Sequence, residues 1–174
     1  VLTGTLSGFL AEDGVTASYS RTAGESVAGS PYPISATLSP AGALANYTIT
    51  QNTADFTIHT ATASVTPAAA SKTYGSADPV LTGTLSGFLA GDGVTATYSR
   101  TAGESVAGGP YAISATLSPA SVLANYTITS NTAAFTIGAK PASVAPAAAS
   151  KTYGAADPVL TGTLSGFLAG DGVT

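Results

Sequence analysis

Short stretches of the chain alternate apolar and polar residues, and this period of two predicts β-strands rather than helices. In each such stretch every second residue is expected to face the core. The inward-facing residues of the clearest strands are Leu81, Gly83 and Leu85, then Val94, Ala96 and Tyr98, then Tyr111, Ile113, Ala115 and Leu117, then Tyr126 and Ile128, and finally Phe135 and Ile137. The stretches ASVTP and KTYG add two short candidates, which gives about seven strands in this part of the chain.

Glycine and proline punctuate the predicted strands at turns such as Gly91-Asp92-Gly93 and Gly108-Gly109-Pro110. Glycine permits positive φ and proline fixes φ, so the chain can reverse direction at these points. Each antiparallel sheet then has one apolar face to bury, which two packed sheets achieve. We expect an all-β fold of tandem small immunoglobulin-like β-sandwich domains. The alternative is a β-grasp-like module, which requires a short helical turn at residues 86–90.

The pattern repeats with a period of 79 residues. Residues 1–79 align with residues 80–158 without gaps, 65 of the 79 positions are identical, and Val159 begins a third copy. Such regularity is typical of an array of structural modules. The period is longer than the roughly 20–50 residues of solenoid repeats, and it suits a small independent β domain.

The boundaries between repeats are predicted from composition. Pro67, Pro141 and Pro146 lie among small residues, as in a short stiff linker. Four of the 14 substitutions between the first two copies fall together at residues 59–62 and 138–141. We therefore predict an incomplete repeat at 1–61 that lacks its first strands, a complete repeat at 62–140, and the opening strands of a third repeat at 141–174.

The third repeat contains the opening strands that the first one lacks, which raises two possibilities. Subunits could donate strands to one another, as in chaperone-assembled pili. Alternatively, the 174 residues are a window on one longer covalent chain. We expect the window, because residues 159–174 repeat residues 1–16 with one change, and this overlap of sixteen residues has no purpose in strand donation.

Composition narrows the classes of partner. Charged residues make up only 8% of the chain, and the net charge is −4 without any basic stripe, so nucleic-acid binding is disfavoured. No apolar run approaches the about 20 residues needed to span a bilayer, and no segment has the pattern of a signal peptide. The absence of cysteine is compatible with any redox compartment.

Three stretches, KTYGSADPVLTGTLSGFLAGDG, SRTAGESVAGGPYAI and LANYTIT, resemble the MBG repeats of bacterial surface proteins. Those repeats combine a YG-x-x-DP start, a Gly-Asp turn, an R-x-x-GE segment before a G-x-Y-x-I strand, and an NYTI strand. The residues that carry the match are Tyr74, Gly75, Asp78, Pro79, Gly91, Asp92, Arg100, Gly103, Glu104, Tyr111, Ile113, Asn125, Tyr126 and Ile128. The Gly-Pro before Tyr111 departs from the Gly-Thr that is commoner in the family.

The resemblance implies a function without catalysis. Such repeats occur in tandem in long secreted or surface-attached bacterial proteins, including haemagglutinin-like adhesins. We therefore expect a structural stalk module of an extracellular filament or adhesin, located outside the cell or at its surface. Its partners are neighbouring repeats of the same chain or identical subunits. The alternative is a repeated module that binds a carbohydrate or protein, although the tyrosines of the predicted strands face inward.

Few residues offer catalytic or metal-binding chemistry. His59 is the only histidine, and Gly138 replaces it in the next copy, so we expect a solvated linker residue rather than a catalytic base. Glu12 and Asp13 are adjacent, but calcium needs about six to eight oxygen ligands, and the Glu is absent from the next copy. We expect the aspartate of this turn to accept backbone N–H bonds. No catalytic, cofactor-binding or metal residues are predicted, and no enzyme.

Three other constellations recur in the repeat. Arg21 and Glu25, like Arg100 and Glu104, lie four residues apart and predict an ion pair across a turn. A lysine and an asparagine could form an isopeptide bond with loss of ammonia while a glutamate assists, although an exposed lysine is the better interpretation. The residues concerned are Lys72, Lys151, Asn125, Asn131 and Glu104. Asn46 and Asn125 begin the glycosylation sequon Asn-Tyr-Thr, and we expect both to be unmodified.

Overall fold

Strands dominate the computed structural model, which describes all residues from 1 to 174. The first part of the chain forms β1 (Thr16–Arg21), β2 (Tyr32–Ser39) and β3 (Ala54–Phe56). The middle part forms β4 (Ala61–Pro67), β5 (Ala70–Thr73), β6 (Gly83–Ser86), β7 (Thr95–Arg100), β8 (Tyr111–Ser118), β9 (Tyr126–Ser130) and β10 (Ala133–Gly138). The last part forms β11 (Ser143–Pro146) and β12 (Gly162–Ser165). The prediction of an all-β fold is confirmed.

Helical structure is limited to single turns. The two α-helical turns are α1 (Ala41–Leu44) and α2 (Ala120–Leu123), and 3₁₀ turns occupy Ala11–Asp13, Ala90–Asp92 and Ala169–Asp171. The turn in the second repeat thus begins at Ala90 and not across residues 86–90, where the β-grasp alternative requires one. No helix has the length and apolar character needed to cross a membrane.

The seven predicted strands of the second repeat are all present, with small shifts of their ends. β6 begins at Gly83, so the preceding Val80 and Leu81 lie outside the strand. The KTYG stretch contributes only its first residues to β5, because Tyr74 and Gly75 already belong to a turn. In β7 half-buried residues alternate with exposed ones, and in β8 buried or half-buried residues do so, as the sequence pattern predicts.

The contacts divide the chain into two compact units, each built from several segments. Unit 1 comprises Val1–Ala63, Gly87–Val94 and Pro119–Ile128, and it contains the antiparallel sheet β1-β2-β3. Unit 2 comprises Ser64–Ser86, Thr95–Ser118 and Thr129–Thr174. Because these units follow contacts and not the 79-residue period, the predicted repeat boundaries remain a prediction.

A four-stranded sheet with the order β5-β10-β8-β7 lies in unit 2. β10 pairs with β8 in antiparallel and with β5 in parallel orientation. A second sheet has the order β6-β4-β9, in which Val65 of β4 faces Leu85 of β6. The chain therefore leaves one sheet and enters the other at residues 68–69, between β4 and β5. The two strands β11 and β12 form a separate antiparallel pair.

The core of unit 2 is formed by the inward-facing residues of β8 and β10. Tyr111, Ile113, Phe135 and Ile137 are buried, and Phe135 and Ile113 are fully inaccessible to solvent. Complete burial of one such apolar side chain contributes about 1.5–3 kcal/mol. Partly buried residues packed around this core are Ala70, Tyr74, Leu81, Tyr98 and Ala133. The period-two pattern therefore predicts the core correctly.

The first repeat contains fewer strands than the second although its sequence is nearly the same. Residues 4–7 and 47–51 form no strands, whereas their counterparts in the second repeat are β6 and β9. Residues 1–7 correspond to residues 80–86, and no strand of the structure pairs with residues 4–7. An open groove runs there instead, lined by residues 3–9 and 47–54.

Candidate functional site

Four charged side chains of the second repeat form one cluster, which we call the charged cluster: Lys72, Asp78, Arg100 and Glu104. Arg100 binds Asp78 with two nitrogens, with Nε 2.6 Å from Oδ2 and Nη2 3.0 Å from Oδ1. Lys72 Nζ lies 2.7 Å from Asp78 Oδ1. Glu104 bridges both cations and closes the cluster. Two positive charges are thus neutralised by two negative ones.

The secondary structure places these residues together. Lys72 lies on β5, Asp78 follows in the loop before β6, and Arg100 ends β7. The guanidinium carbon of Arg100 lies 4.6 Å from the centroid of the Phe135 ring and 5.4 Å from that of Tyr111. An aromatic face attracts a cation, and the planar guanidinium suits both the stacking and the bidentate carboxylate. The Arg100 side chain is accordingly only 8% exposed.

The charged cluster holds its members in their ionised forms. Hydrogen bonds from Arg100 and then from Lys72 lower the pKa of Asp78 from 3.8 to about 2. Lys72 and Arg100 also lower the pKa of Glu104, while Asp78 and Glu104 raise the pKa of Lys72. A general acid or base works best when its pKa lies near the working pH. These shifts move each group away from neutrality, so the cluster is suited to holding the fold and not to proton transfer.

A tyrosine and an aspartate form a second polar contact of the repeat. The Tyr126 hydroxyl donates to Asp92 in the Gly-Asp-Gly turn, and it accepts a hydrogen bond of 3.0 Å from the Leu89 N–H. The bond to Asp92 raises the pKa of Tyr126. The same arrangement recurs in the first repeat, where Tyr47 donates to Asp13. The expectation that this aspartate accepts backbone N–H bonds is wrong, because a phenol 34 residues away is its partner.

A third contact fixes the loop between β7 and β8. The Tyr111 hydroxyl donates to the Ser105 carbonyl at 2.8 Å. Its ring lies directly against Gly103, which has a φ of +145° and leaves no room for a Cβ atom. The glycine of the R-x-x-GE segment is therefore required both by the backbone conformation and by the tyrosine ring.

The predicted ion pairs across the turn are present. Arg21 binds Glu25 in the first repeat and Arg100 binds Glu104 in the second. Sequence reasoning missed Asp78, which is 22 residues from Arg100 and is its bidentate partner. The YG-x-x-DP segment marks Asp78 as a residue of the family pattern. Its distance from Arg100 in the sequence does not indicate that the two side chains pair.

Lys72 corrects one expectation. Its side chain is 6% exposed and ion-paired, so it is not the exposed lysine that the sequence predicts. The asparagines considered for an isopeptide bond have other partners, because Asn125 accepts a hydrogen bond from the Val27 N–H and Asn131 donates one to Thr66. The structure therefore brings Lys72 to Glu104 but not to an asparagine amide. Lys151 is 46% exposed and pairs with Asp157.

The remaining candidates are dispersed. His59 is exposed, and Asn46 is exposed at the end of the first α-helical turn. No group of three or more histidine, cysteine, aspartate or glutamate side chains could hold a metal ion. The residues that recur in the repeat thus converge on internal contacts.

Comparison with known proteins identifies the repeat. The family model "MBG domain (YGX type)" matches residues 1–57, 63–136 and 142–174. The searches of curated proteins and of solved structures each gave no match. The recurring side chains that the family resemblance emphasises are those of the three contacts described above: Asp78, Arg100, Gly103, Glu104, Tyr111, Asp92 and Tyr126. With three matched stretches that cover almost all of its length, this chain belongs to the YGX-type MBG domain family as a tandem array.

Proposed function

We propose that this chain is a structural stalk segment of a long bacterial extracellular filament or adhesin, and that it has no enzymatic activity. The observation that carries the proposal is that the recurring polar side chains of the repeat bind other parts of the same protein. Lys72 and Arg100 are 6% and 8% exposed, and their charges are paired. A module whose signature residues are used internally is suited to holding its own shape, and the number of repeats then sets the reach of the protein.

The strand order supports a role under tension. β5 and β10 are the early and late strands of the second repeat, and they pair in parallel. Force applied to the start of β5 and the end of β10 acts along both strands in opposite directions. All backbone hydrogen bonds of the pair are then loaded together, whereas an antiparallel pair pulled at its open end breaks one bond after another.

The alternative, a repeated binding module, has weaker support. Recognition of carbohydrates or proteins commonly uses accessible aromatic residues at the contact. Tyr111 and Tyr126 are instead 8% and 7% exposed, and both hydroxyls have partners within the protein.

Single-molecule force spectroscopy tests the proposed function, and the chain has no cysteine that would compete for attachment. One variant carries Ala69→Cys and Ala139→Cys, which load β5 and β10 along their length. The matched variant carries Thr95→Cys and Ser118→Cys at the paired ends of β7 and β8. We expect the first variant to unfold at clearly higher force. Equal or lower force in the first variant would count against a stalk under tension.

A further inference from the structure

Two side chains are more covered than their counterparts in another repeat. Leu168 is half-buried, whereas Leu89 is 66% exposed. Val27 is half-buried, whereas Val106 is 45% exposed. Val27 lies in the first repeat and Leu168 in the third, and both of these repeats contain fewer strands than the second. Packing within their own repeats therefore does not explain the difference, and a neighbouring repeat covers both residues.

The contact between the second and third repeats lies within unit 2. The Tyr74 hydroxyl donates to Asp171 Oδ1 at 2.6 Å. Gly75, which has a φ of +81°, lies so close to Leu168 that a Cβ atom would be 2.7 Å from its Cδ1. Gly154 is the same position in the third repeat, with a φ of +84°, and a Cβ atom there would meet nothing within 4 Å. The KTYG turn of one repeat thus contacts the Leu-Ala-Gly-Asp turn of the next.

The contact between the first and second repeats lies within unit 1. The backbone N–H of Val27 donates to Asn125 Oδ1 at 3.0 Å. Val27 corresponds to Val106, and Asn125 corresponds to a residue beyond Thr174. In the structure the Val106 N–H donates no such bond, whereas the Val27 N–H does. The loop after the R-x-x-GE segment of one repeat contacts the Asn-Tyr-Thr segment of the next.

The 79-residue period allows the two contacts to be combined. We define the trailing face of a repeat by Tyr74, Gly75 and Val106, and the leading face by Leu89, Asp92 and Asn125. We propose that each complete junction joins the trailing face of one repeat to the leading face of the next through both sets of contacts at once. This inference rests on the proposed stalk function and specifies how its modules are joined.

The aspartate of the Gly-Asp-Gly turn connects the junction to the interior of its own repeat. Asp92 accepts the Tyr126 hydroxyl at Oδ2, and Asp171 accepts the Tyr74 hydroxyl at Oδ1. A carboxylate has two oxygens and can accept at both. One oxygen therefore serves the tyrosine of its own repeat, and the other serves the KTYG tyrosine of the preceding repeat.

The chemistry of the two faces specifies both the partner and its direction. The trailing face supplies hydrogen-bond donors, the Tyr74 hydroxyl and the Val106 N–H. The leading face supplies acceptors, the carboxylate of Asp92 and the amide oxygen of Asn125. Both observed bonds run from a donor of one repeat to an acceptor of the next, so the contact that they define is head-to-tail. The partner is another repeat of this type, and the contact is heterologous, which generates open arrays.

Amide hydrogen exchange measured by NMR on the whole chain tests the junction. Val27 and Val106 lie within the same local sequence Ala-Gly-Glu-Ser-Val-Ala-Gly, so their intrinsic exchange rates match. We expect Val27 to exchange roughly tenfold more slowly, as one hydrogen bond predicts. Asn125→Ala should abolish this difference, while the matched variant Asn46→Ala should preserve it. Asn125→Asp keeps the acceptor oxygen and should also preserve it, even if the alanine variant fails to fold.

A chain extended beyond Thr174 by the sequence of residues 96–140 completes the third repeat and supplies the missing asparagine. The Val106 amide should then slow to the rate of Val27, because the second junction is now complete. Continued fast exchange at Val106, or fast exchange at Val27 in the original chain, would overturn the proposal. Neither result bears on the force experiment, since all its attachment points lie within residues 62–140.

Discussion

Charged residues are scarce in this protein, and the second repeat places four of them where they pair. Only 8% of the residues are charged, yet Lys72, Asp78, Arg100 and Glu104 gather at one place. The nearly inaccessible cations depend on their carboxylates, because a buried charge without a partner is costly. Removal of one partner is therefore expected to destabilise the repeat more than loss of an ordinary surface ion pair.

The charged cluster predicts a loss of stability in acid. The pKa of Asp78 is lowered from 3.8 to about 2, so its carboxylate stabilises the fold fully only above about pH 4. This stabilisation is lost as the pH falls towards 2, and Glu104 contributes in the same direction because its pKa is also lowered. Asp78→Asn should lower stability at neutral pH and flatten the decline between pH 4 and 2. Urea unfolding at several pH values, followed by circular dichroism, measures this.

Asp157→Asn is the matched control for that experiment. Asp157 is the same position in the third repeat, where its side chain is 80% exposed and pairs only with Lys151. We expect the stability of the Asp157→Asn variant to fall as steeply between pH 4 and 2 as that of the unchanged protein. An equal flattening in both variants would show that the charged cluster is not its source.

The core predicts a graded response to the loss of one methylene. Ile113 is completely buried between β7 and β10, so Ile113→Val should cost about 1 kcal/mol of unfolding free energy. Ile34 is its counterpart in the first repeat and is only half-buried, so Ile34→Val should cost less. Residue-resolved NMR during a urea titration separates the two repeats. If Ile113→Val and Ile34→Val lowered the unfolding free energy equally, the result would contradict the difference in burial between the two isoleucines.

Spacing predicts local contacts between residues and fails for distant ones. The pair Arg100–Glu104 follows from a separation of four residues, and the inward-facing residues follow from the period of two. The bonds from Arg100 to Asp78 and from Tyr126 to Asp92 span 22 and 34 residues. They exist because strands remote in sequence lie side by side, which no local pattern specifies.

At the scale of elements, nearly the same sequence occurs in three repeats and forms different secondary structure in them. The segment Gly-Thr-Leu-Ser is β6 in the second repeat and β12 in the third, but forms no strand in the first. β6 pairs with β4, and β12 pairs with β11. A strand thus forms where a partner strand is present, because isolated strands leave their backbone groups without partners.

The groove of the first repeat is predicted to accept a strand with the sequence of β4. In the second repeat β4 lies between β6 and β9, whose counterparts, residues 4–7 and 47–51, flank the groove. A synthetic peptide with the sequence of residues 61–73 should bind there by adding a strand. Fluorescence anisotropy of the labelled peptide measures binding, and NMR should show new strand structure at residues 4–7.

The control peptide carries Val65→Asp. Val65 is completely buried in the second repeat, so a charge at this position should prevent insertion. If both peptides bind equally well, the contact is not the strand addition predicted here.

At the scale of the whole molecule, the period and the compact units differ. The period is visible in the sequence as a tandem repeat, and the family model matches the chain in three stretches. Unit 1 nevertheless combines residues of the first repeat with Pro119–Ile128 of the second. The cause is physical contact across the repeat boundary, of which the Val27–Asn125 hydrogen bond is one instance.

The sequence by itself determined the all-β class, the strands of the second repeat, the residues that face its core and the tandem MBG architecture. These properties depend on alternation and repetition, which are local or periodic along the chain. Only the tertiary structure decided which identical segments become strands, which carboxylate holds Arg100, and why Lys72 is inaccessible. Those outcomes depend on strand pairing and side-chain contacts between residues far apart in the chain, and identical local sequences leave them open.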